Sequence, residues 1–217
     1  MGMASHDAYV LLISGEDHLP FLDGLSTNHV IGSCTTVFTD RAAKIIDVCE
    51  IIDLGQQAAI VGYGPHKNAL LKHLSSRILG QSININDISN LNHVYVGDGR
   101  DSPPEGTTIH QSYLGVFWVV PIKHRWEPTW SMDEWSEYRV SETIPFHGHE
   151  ITPKYHPMAC GLADLIHQNK GCYIGQEVLT RMRSRGKQGH QLIRMENPAP
   201  RATTVGSTHS LCIVRVQ

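Results

Sequence analysis

The sequence predicts an α+β fold, in which helices cover an antiparallel or mixed sheet. Three observations carry that expectation. Short apolar, β-branched runs and one amphipathic helix follow each other in the order β-β-α-β-β over 44–96. Gly- and Pro-containing turn signals punctuate them at close intervals. The composition, 41% hydrophobic and 18% charged over 217 residues, is that of a globular chain long enough for one large domain or two small interlocked ones.

Tyr9-Val10-Leu11-Leu12-Ile13 reads as a strand ending at Ser14-Gly15. Glu16 and Asp17 then open a helix that tolerates Pro20 in its first turn and turns Leu19, Leu22 and Leu25 inward. Thr35 to Phe38, Lys44 to Ile52 and Gln57 to Val61 read as strands, the second buried on much of both faces. Pro65 opens a helix with Leu70, Leu71, Leu74 and Ile78 at helical spacing and Gly80 as its stop. Ile83 to Ile88 and His93 to Val96 are two further strands. The Gly97 to Gly106 loop, dense in Gly, Pro and Asp, is the best internal boundary. It divides the chain into 1–97 and 107–187, with 188–217 as a short C-terminal β segment.

Beyond the loop, Gly115 to Pro121 is a strand, and Ser131 with Glu134 forms a capping-box signature for a helix towards Tyr138. Trp118, Trp126, Trp130 and Trp135 all fall in this stretch, where they pack a core or, less commonly for such residues, stack a flat ring. Pro157 to His167 reads as a helix carrying Leu162, Leu165 and Ile166 inward. Gly175 caps another from Gln176 to Arg185, with Gly186 as its stop. Gln191 to Met195 and Leu211 to Val216 are strands.

The net charge of -3 argues against a general nucleic-acid binder, and no direct nucleic-acid partner is expected. No apolar run approaches the ~18 residues needed to cross a bilayer. The start of the chain, Met1 to His6, lacks the blocks of a signal peptide, so a cytoplasmic location is expected. The five cysteines (Cys34, Cys49, Cys160, Cys172 and Cys212) form no CxxC pair, which fits reduced thiols. His147, His149 and His156 lie close together, but without metal-ligand spacing they read as part of a solvated loop, and no metal site is expected.

The most informative run is Lys170-Gly171-Cys172-Tyr173-Ile174-Gly175-Gln176-Glu177, followed by Val178-Leu179-Thr180-Arg181. It sets one thiol between two glycines, with cations on both sides and a helix start just beyond. Such surroundings favour a reactive thiolate, and the glycines leave room for a ligand to approach the main chain. The bland alternative is a tight turn whose cysteine is a small core residue. Lys170, Arg181, Arg183, Arg185 and Lys187 face a single acid, Glu177, a patch suited to an anion. The alternative again is a well-capped surface helix with i,i+4 ion pairs.

The run resembles the K-G-C-[FY]-x-G-Q-[ED]-x-x-x-[KR] signature of YgfZ-type folate-binding proteins, relatives of the glycine-cleavage T-protein. Phe21-Leu22 with Thr27-Asn28-His29-Val30 resembles the F-L-x-x-x-x-T-N-D-V opening, with His29 where the pattern has Asp. Arg139 through Pro145, then Glu150-Ile151, resembles the R-x-x-x-G-x-P…E-I approach, with Glu142 and Thr143 where the usual Gly would stand. Gly206 to Arg215 resembles the final segment.

The resemblance implies T-protein-like interlocked α/β layers around a central folate-binding hole, with a shortened C-terminus. It implies tetrahydrofolate or a derivative as cofactor. Lys170, Gly171, Cys172, Tyr173, Gln176 and Arg181 are the binding candidates, and Cys172 the functional thiol. It further implies an accessory role, rather than enzymatic turnover, with iron–sulfur client or assembly proteins, including those serving tRNA-modifying enzymes. Two alternatives stay open. One is a tetrahydrofolate-dependent aminomethyltransferase using Asp47, whose acidic pair is incomplete because Val48 follows. The other is a thiol-dependent interaction module with a vestigial pocket.

Overall fold

The structure is a computed structural model that describes residues 2–186 and 188–216. Three antiparallel sheets form it. The largest joins β2 (Ala8–Ser14), β3 (Cys34–Thr39), β4 (Ile45–Asp53), β5 (Gln57–Tyr63) and β6 (Asn84–Asp87) in the order β3-β4-β5-β2-β6. Its inner strands read as nearly continuous apolar runs because both faces are covered. Leu11, Ile13, Ile51 and Ile60 pack on Phe21 and Leu22 of α1 (His18–Asp23) and on Leu70 and Leu74 of α2 (Lys67–Ser75). Their neighbours Val10, Ile52, Ala59 and Val61 face the other way, as the twofold side-chain alternation of a strand requires.

On that second face lies a four-stranded sheet, with β1 (Met3–Ser5), β7 (Asn92–Gly97), β9 (Gly115–Pro121) and β8 (Thr108–Ser112) in that order. Val94, Val96, Phe117 and Val119 meet the first sheet, joined by Trp135 of α3 (Met132–Glu142). Trp118 packs edge-on against Trp126, and Trp135 stacks on Trp130, so the tryptophans serve packing. A final three-stranded sheet holds β10 (His190–Glu196), β12 (His209–Arg215) and β11 (Thr204–Val205).

The 97–106 loop lies between strands of one sheet, since β7 pairs with β9 directly. The structure departs from the sequence expectation at three places. The segment from Pro157 forms two 3-10 turns, Pro157–Cys160 and Ala163–Leu165, instead of one helix. Gly161, at φ +81°, breaks it between them. The helix after Pro65 ends at Ser75, short of Gly80, and Ile78 packs on the core from the following loop. Strands β1 and β8 carry no strand signal in the sequence, β1 because it is only three residues long and β8 because Ile109 is its single apolar residue.

A buried ion pair ties α3 and the 146–150 turn to the C-terminal segment. Arg139 lies 1% exposed on α3 and its Nη1 is 3.2 Å from Glu150 Oε2. Glu150 also accepts from the Phe146 amide and from the hydroxyls of Thr203 and Thr204. Removing one partner of such a pair costs about 3–5 kcal/mol.

Thr143 closes α3 in the left-handed conformation at φ 60°, ψ 41°. This is the position where the resembled pattern has glycine, and a β-branched side chain is strained there. Thr143→Gly should raise stability by about 1 kcal/mol in denaturant unfolding, and an unchanged midpoint would contradict the strain argument.

His73 on α2 is buried, edge-on to Phe38. Burial, then the Arg77 charge, lower its pKa from 6.5 to about 4. The unfolded chain therefore binds a proton first as the pH falls. The neutral ring's contribution is complete above pH 6.5 and is lost on the way down to about pH 4. Thermal melts across this window should show stability falling towards acid, and His73→Leu should flatten the slope in part. Buried His6, lowered to about 3, and His156, also lowered by burial, contribute to the slope that remains.

Candidate functional site

The 170–177 run crosses open loop before entering α4 (Gln176–Ser184) through Gly175. Gly175 sits at φ +87°, and a Cβ there would come within 2.6 Å of Thr39 Oγ1 and 2.7 Å of the Asp40 carbonyl. The Thr39 hydroxyl donates to the Ile174 carbonyl at 2.6 Å. This glycine thus lets the run dock on the β3–β4 turn, where the sequence suggested a ligand approach. Gly171 by contrast is exposed, and a Cβ added to it would meet nothing within 4 Å.

Lys170 does not face solvent. Its ammonium is wholly covered and donates to the Asp23 carbonyl (2.6 Å) and carboxylate (3.0 Å), and to the Ser26 (2.9 Å) and Asn28 (2.6 Å) carbonyls. Burial pulls its pKa down and Asp23 opposes that pull. Asp23 also receives the Val30 amide, and His29 lies 3.0 Å from the same carboxylate. The residue that departs from the T-N-D-V pattern therefore belongs to the hub that holds Lys170. In this structure the Lys170 charge ties the 23–30 loop to the signature and is not offered to an anion.

Tyr173 packs among Ala43, Met158, Ile166 and Leu179, with the Lys170 ammonium 5.4 Å from its ring centre. Arg181 pairs with Glu177 at 2.5 Å on an exposed face, worth about 0.3–0.5 kcal/mol. Arg183 is half-buried and reaches the Ala163 carbonyl, while Arg185 is exposed. Lys187, counted with the cation patch, lies outside the described residues. Of the five cysteines, all described, Cys172 alone is exposed; Cys49, Cys160 and Cys212 are buried and Cys34 half-buried. Near it a polar cleft of about 150 Å³ is bordered by His167, Asn169, Tyr173, Gln176, Thr180 and Arg183. Tyr173 and Gln176 thus border the cleft, Gly171 and Cys172 are exposed on the turn that precedes them, and Lys170 and Arg181 are engaged with the protein.

Asp47 belongs to a different centre. It is 0% exposed on β4, with the Tyr9 hydroxyl donating to Oδ2 at 2.6 Å and the Tyr63 amide at 3.2 Å. Oδ1 receives the Val48 amide at 2.9 Å and His66 Nδ1 at 3.1 Å, and lies 2.9 Å from His147 Nε2. A Cβ on Gly62 would fall 2.1 Å from the Tyr9 hydroxyl and 2.5 Å from Oδ2, so only glycine permits this packing. Burial opposes ionisation of Asp47, but His147, His66 and Tyr9 outweigh it and bring the pKa down to about 2. Tyr63 stacks on His147 at 4.9 Å.

The solvated-loop expectation for the histidines needs correction. His147 is 2% exposed at the Asp47 centre, and His156 is buried and caps the 3-10 turn through the Ala159 amide. Only His149 is exposed. The sequence drew attention to His147 but not to His66 or to their meeting at Asp47, because the three come from different elements, far apart in the chain and sharing no spacing.

With fold and centres in place, the likenesses of the chain are informative. It superposes on the glycine cleavage system aminomethyltransferase T of Bartonella henselae with a TM-score of 0.79, over 98% of this chain and 78% of that one, at 13% identity. The chain carries the aminomethyltransferase T fold. In sequence it is 26% identical to a chloroplastic protein of Arabidopsis thaliana described as a putative transferase, over 78% of this chain and 50% of the relative. It thus spans about half the length of that relative. No family model matches the chain. Among the described residues no helix is long and apolar enough to cross a membrane.

The buried Lys170 hub yields a direct test. Lys170→Met strands the Asp23 carboxylate and three carbonyls, so it should cost about 3 kcal/mol or more in urea unfolding. A loss near zero would show instead that the ammonium normally faces solvent.

Proposed function

We propose that this chain is a folate-binding accessory protein of the YgfZ type, which presents Cys172 to iron–sulfur assembly or client proteins. One contrast carries the reading. The signature turn leaves Cys172 exposed beside a polar cleft, while Asp47, the acid that aminomethyl transfer would use, is sealed with both oxygens engaged. A general acid or base must reach the proton it moves. The aminomethyltransferase T fold supports a folate site, and the fold likeness also keeps the transferase reading as the alternative.

The cleft is polar enough to meet one end of a folate. The Gln176 and Asn169 side chains offer amide donors and acceptors for a pterin edge, and Arg183 offers charge for the glutamate tail. At about 150 Å³ it is smaller than the roughly 300–1,000 Å³ usual for a whole small ligand, so the rest of the molecule would lie along the surface. Bound tetrahydrofolate would supply a carrier for one-carbon units. Cys172 would act as a soft, exposed thiol, suited to transient contact with iron or a client's cluster. A cluster held within one chain needs about four such ligands. Of the other cysteines three are buried and Cys34 is half-buried.

Calorimetric titration with 5-formyltetrahydrofolate should show binding that Arg183→Ala weakens about tenfold or more with the fold retained. Absence of binding and of any thermal shift would leave only the interaction-module reading. In the host, Cys172→Ala should lower iron–sulfur enzyme activities without abolishing folate binding; unchanged activities would sink the accessory role. Folate-dependent turnover of lipoylated H-protein would move the assignment to aminomethyltransferase.

A further inference from the structure

We infer that Asp47, His66 and His147 form a binding site for one divalent transition-metal ion, of the class of zinc or ferrous iron. One donor atom from each residue lies within 4.8 Å of the other two. Oδ1 of Asp47 is 2.9 Å from His147 Nε2 and 3.1 Å from His66 Nδ1. Two ligands bonded to the same ion at about 2.1 Å sit roughly 3.0–3.4 Å apart when cis, so these separations need little adjustment.

The angular arrangement supplies an independent observation. His147 is 98% buried, yet among the described residues neither of its ring nitrogens makes a hydrogen bond. Nε2 is close to the carboxylate but is not aligned to donate to it. A buried imidazole left so is costly in a simple hydrogen-bond network. It is the disposition expected of a lone pair and a carboxylate oxygen that both point at a third atom between them.

The surroundings suit a cation as well. The Tyr9 hydroxyl and Tyr63 amide hold the Asp47 carboxylate through Oδ2, while Oδ1, which also takes the Val48 amide, lies towards the two imidazoles. Tyr63 fixes the His147 ring by stacking. Such outer contacts orient metal ligands in general. His66, 18% exposed, forms the approach from solvent. On metal binding its Nδ1 proton moves to Nε2 or to water, which frees the Nδ1 lone pair.

Two imidazoles and one carboxylate select borderline ions such as zinc, ferrous iron and cobalt over magnesium or calcium. Three protein ligands leave positions for water or a small ligand, as in exchangeable rather than purely structural sites. This site is separate from the cleft beside Cys172 and does not rest on the folate reading.

The test uses the full chain, stripped with a chelator and dialysed, and titrated with cobalt(II) as a spectroscopic probe. One equivalent should bring up visible d–d absorption that zinc(II) abolishes, and zinc(II) should raise the melting temperature. His66→Gln, at a partly exposed position, should retain the native circular dichroism while weakening binding at least tenfold, and Asp47→Asn should do the same or more. Exposed His93→Gln should bind as wild type. Absorption that never saturates at one equivalent, or that persists undiminished in His66→Gln, would place the ion on other imidazoles and overturn the assignment.

Discussion

Glu150 is the group on which the layers of this molecule depend. Its carboxylate takes the Arg139 guanidinium from α3, the Phe146 amide from its own turn, and the hydroxyls of Thr203 and Thr204 from the C-terminal segment. A fully buried carboxylate is tolerated only when its lone pairs are filled. That requirement brings α3, the 146–150 turn and the distant 203–204 segment to one point. It also fixes the 146–151 turn, and through it His147 is delivered to Asp47 on β4.

The same logic recurs at each acid in the interior. Glu50 is buried with Thr35, His110 and Ser112 around it, and so joins the two large sheets. Lys170 is the inverse case, a cation enclosed by the Asp23 carboxylate and three carbonyls. Polar groups in this fold act as joints between elements. Apolar alternation decides which face of a strand is inward, and the joints decide which elements meet.

The two candidate centres differ in kind. The Cys172 turn is open, lies against a small cleft, and owes its shape to Gly175 docking on the β3–β4 turn. The Asp47 centre is enclosed, assembled from β2, β4, the segment after β5 and the 146–151 turn, and suited to an ion more than to an organic ligand. A long signature in the sequence marks the first. Nothing contiguous marks the second.

What the sequence determined by itself was local. The double-faced apolar runs of β2, β4 and β5, the capping box at Ser131, the helix from Gln176 and its glycine cap were all legible, because propensity and periodicity act over a few residues. The three-residue β1 and the mostly polar β8 were not, since their pairing with β7 and β9 gives them their conformation. Nor could the sequence say that Lys170 faces inward, that Gly175 serves docking, or that His66 and His147 converge on Asp47. Those facts depend on which oxygen atoms a folded chain places within about 3 Å of a charge, and only the tertiary structure decides that.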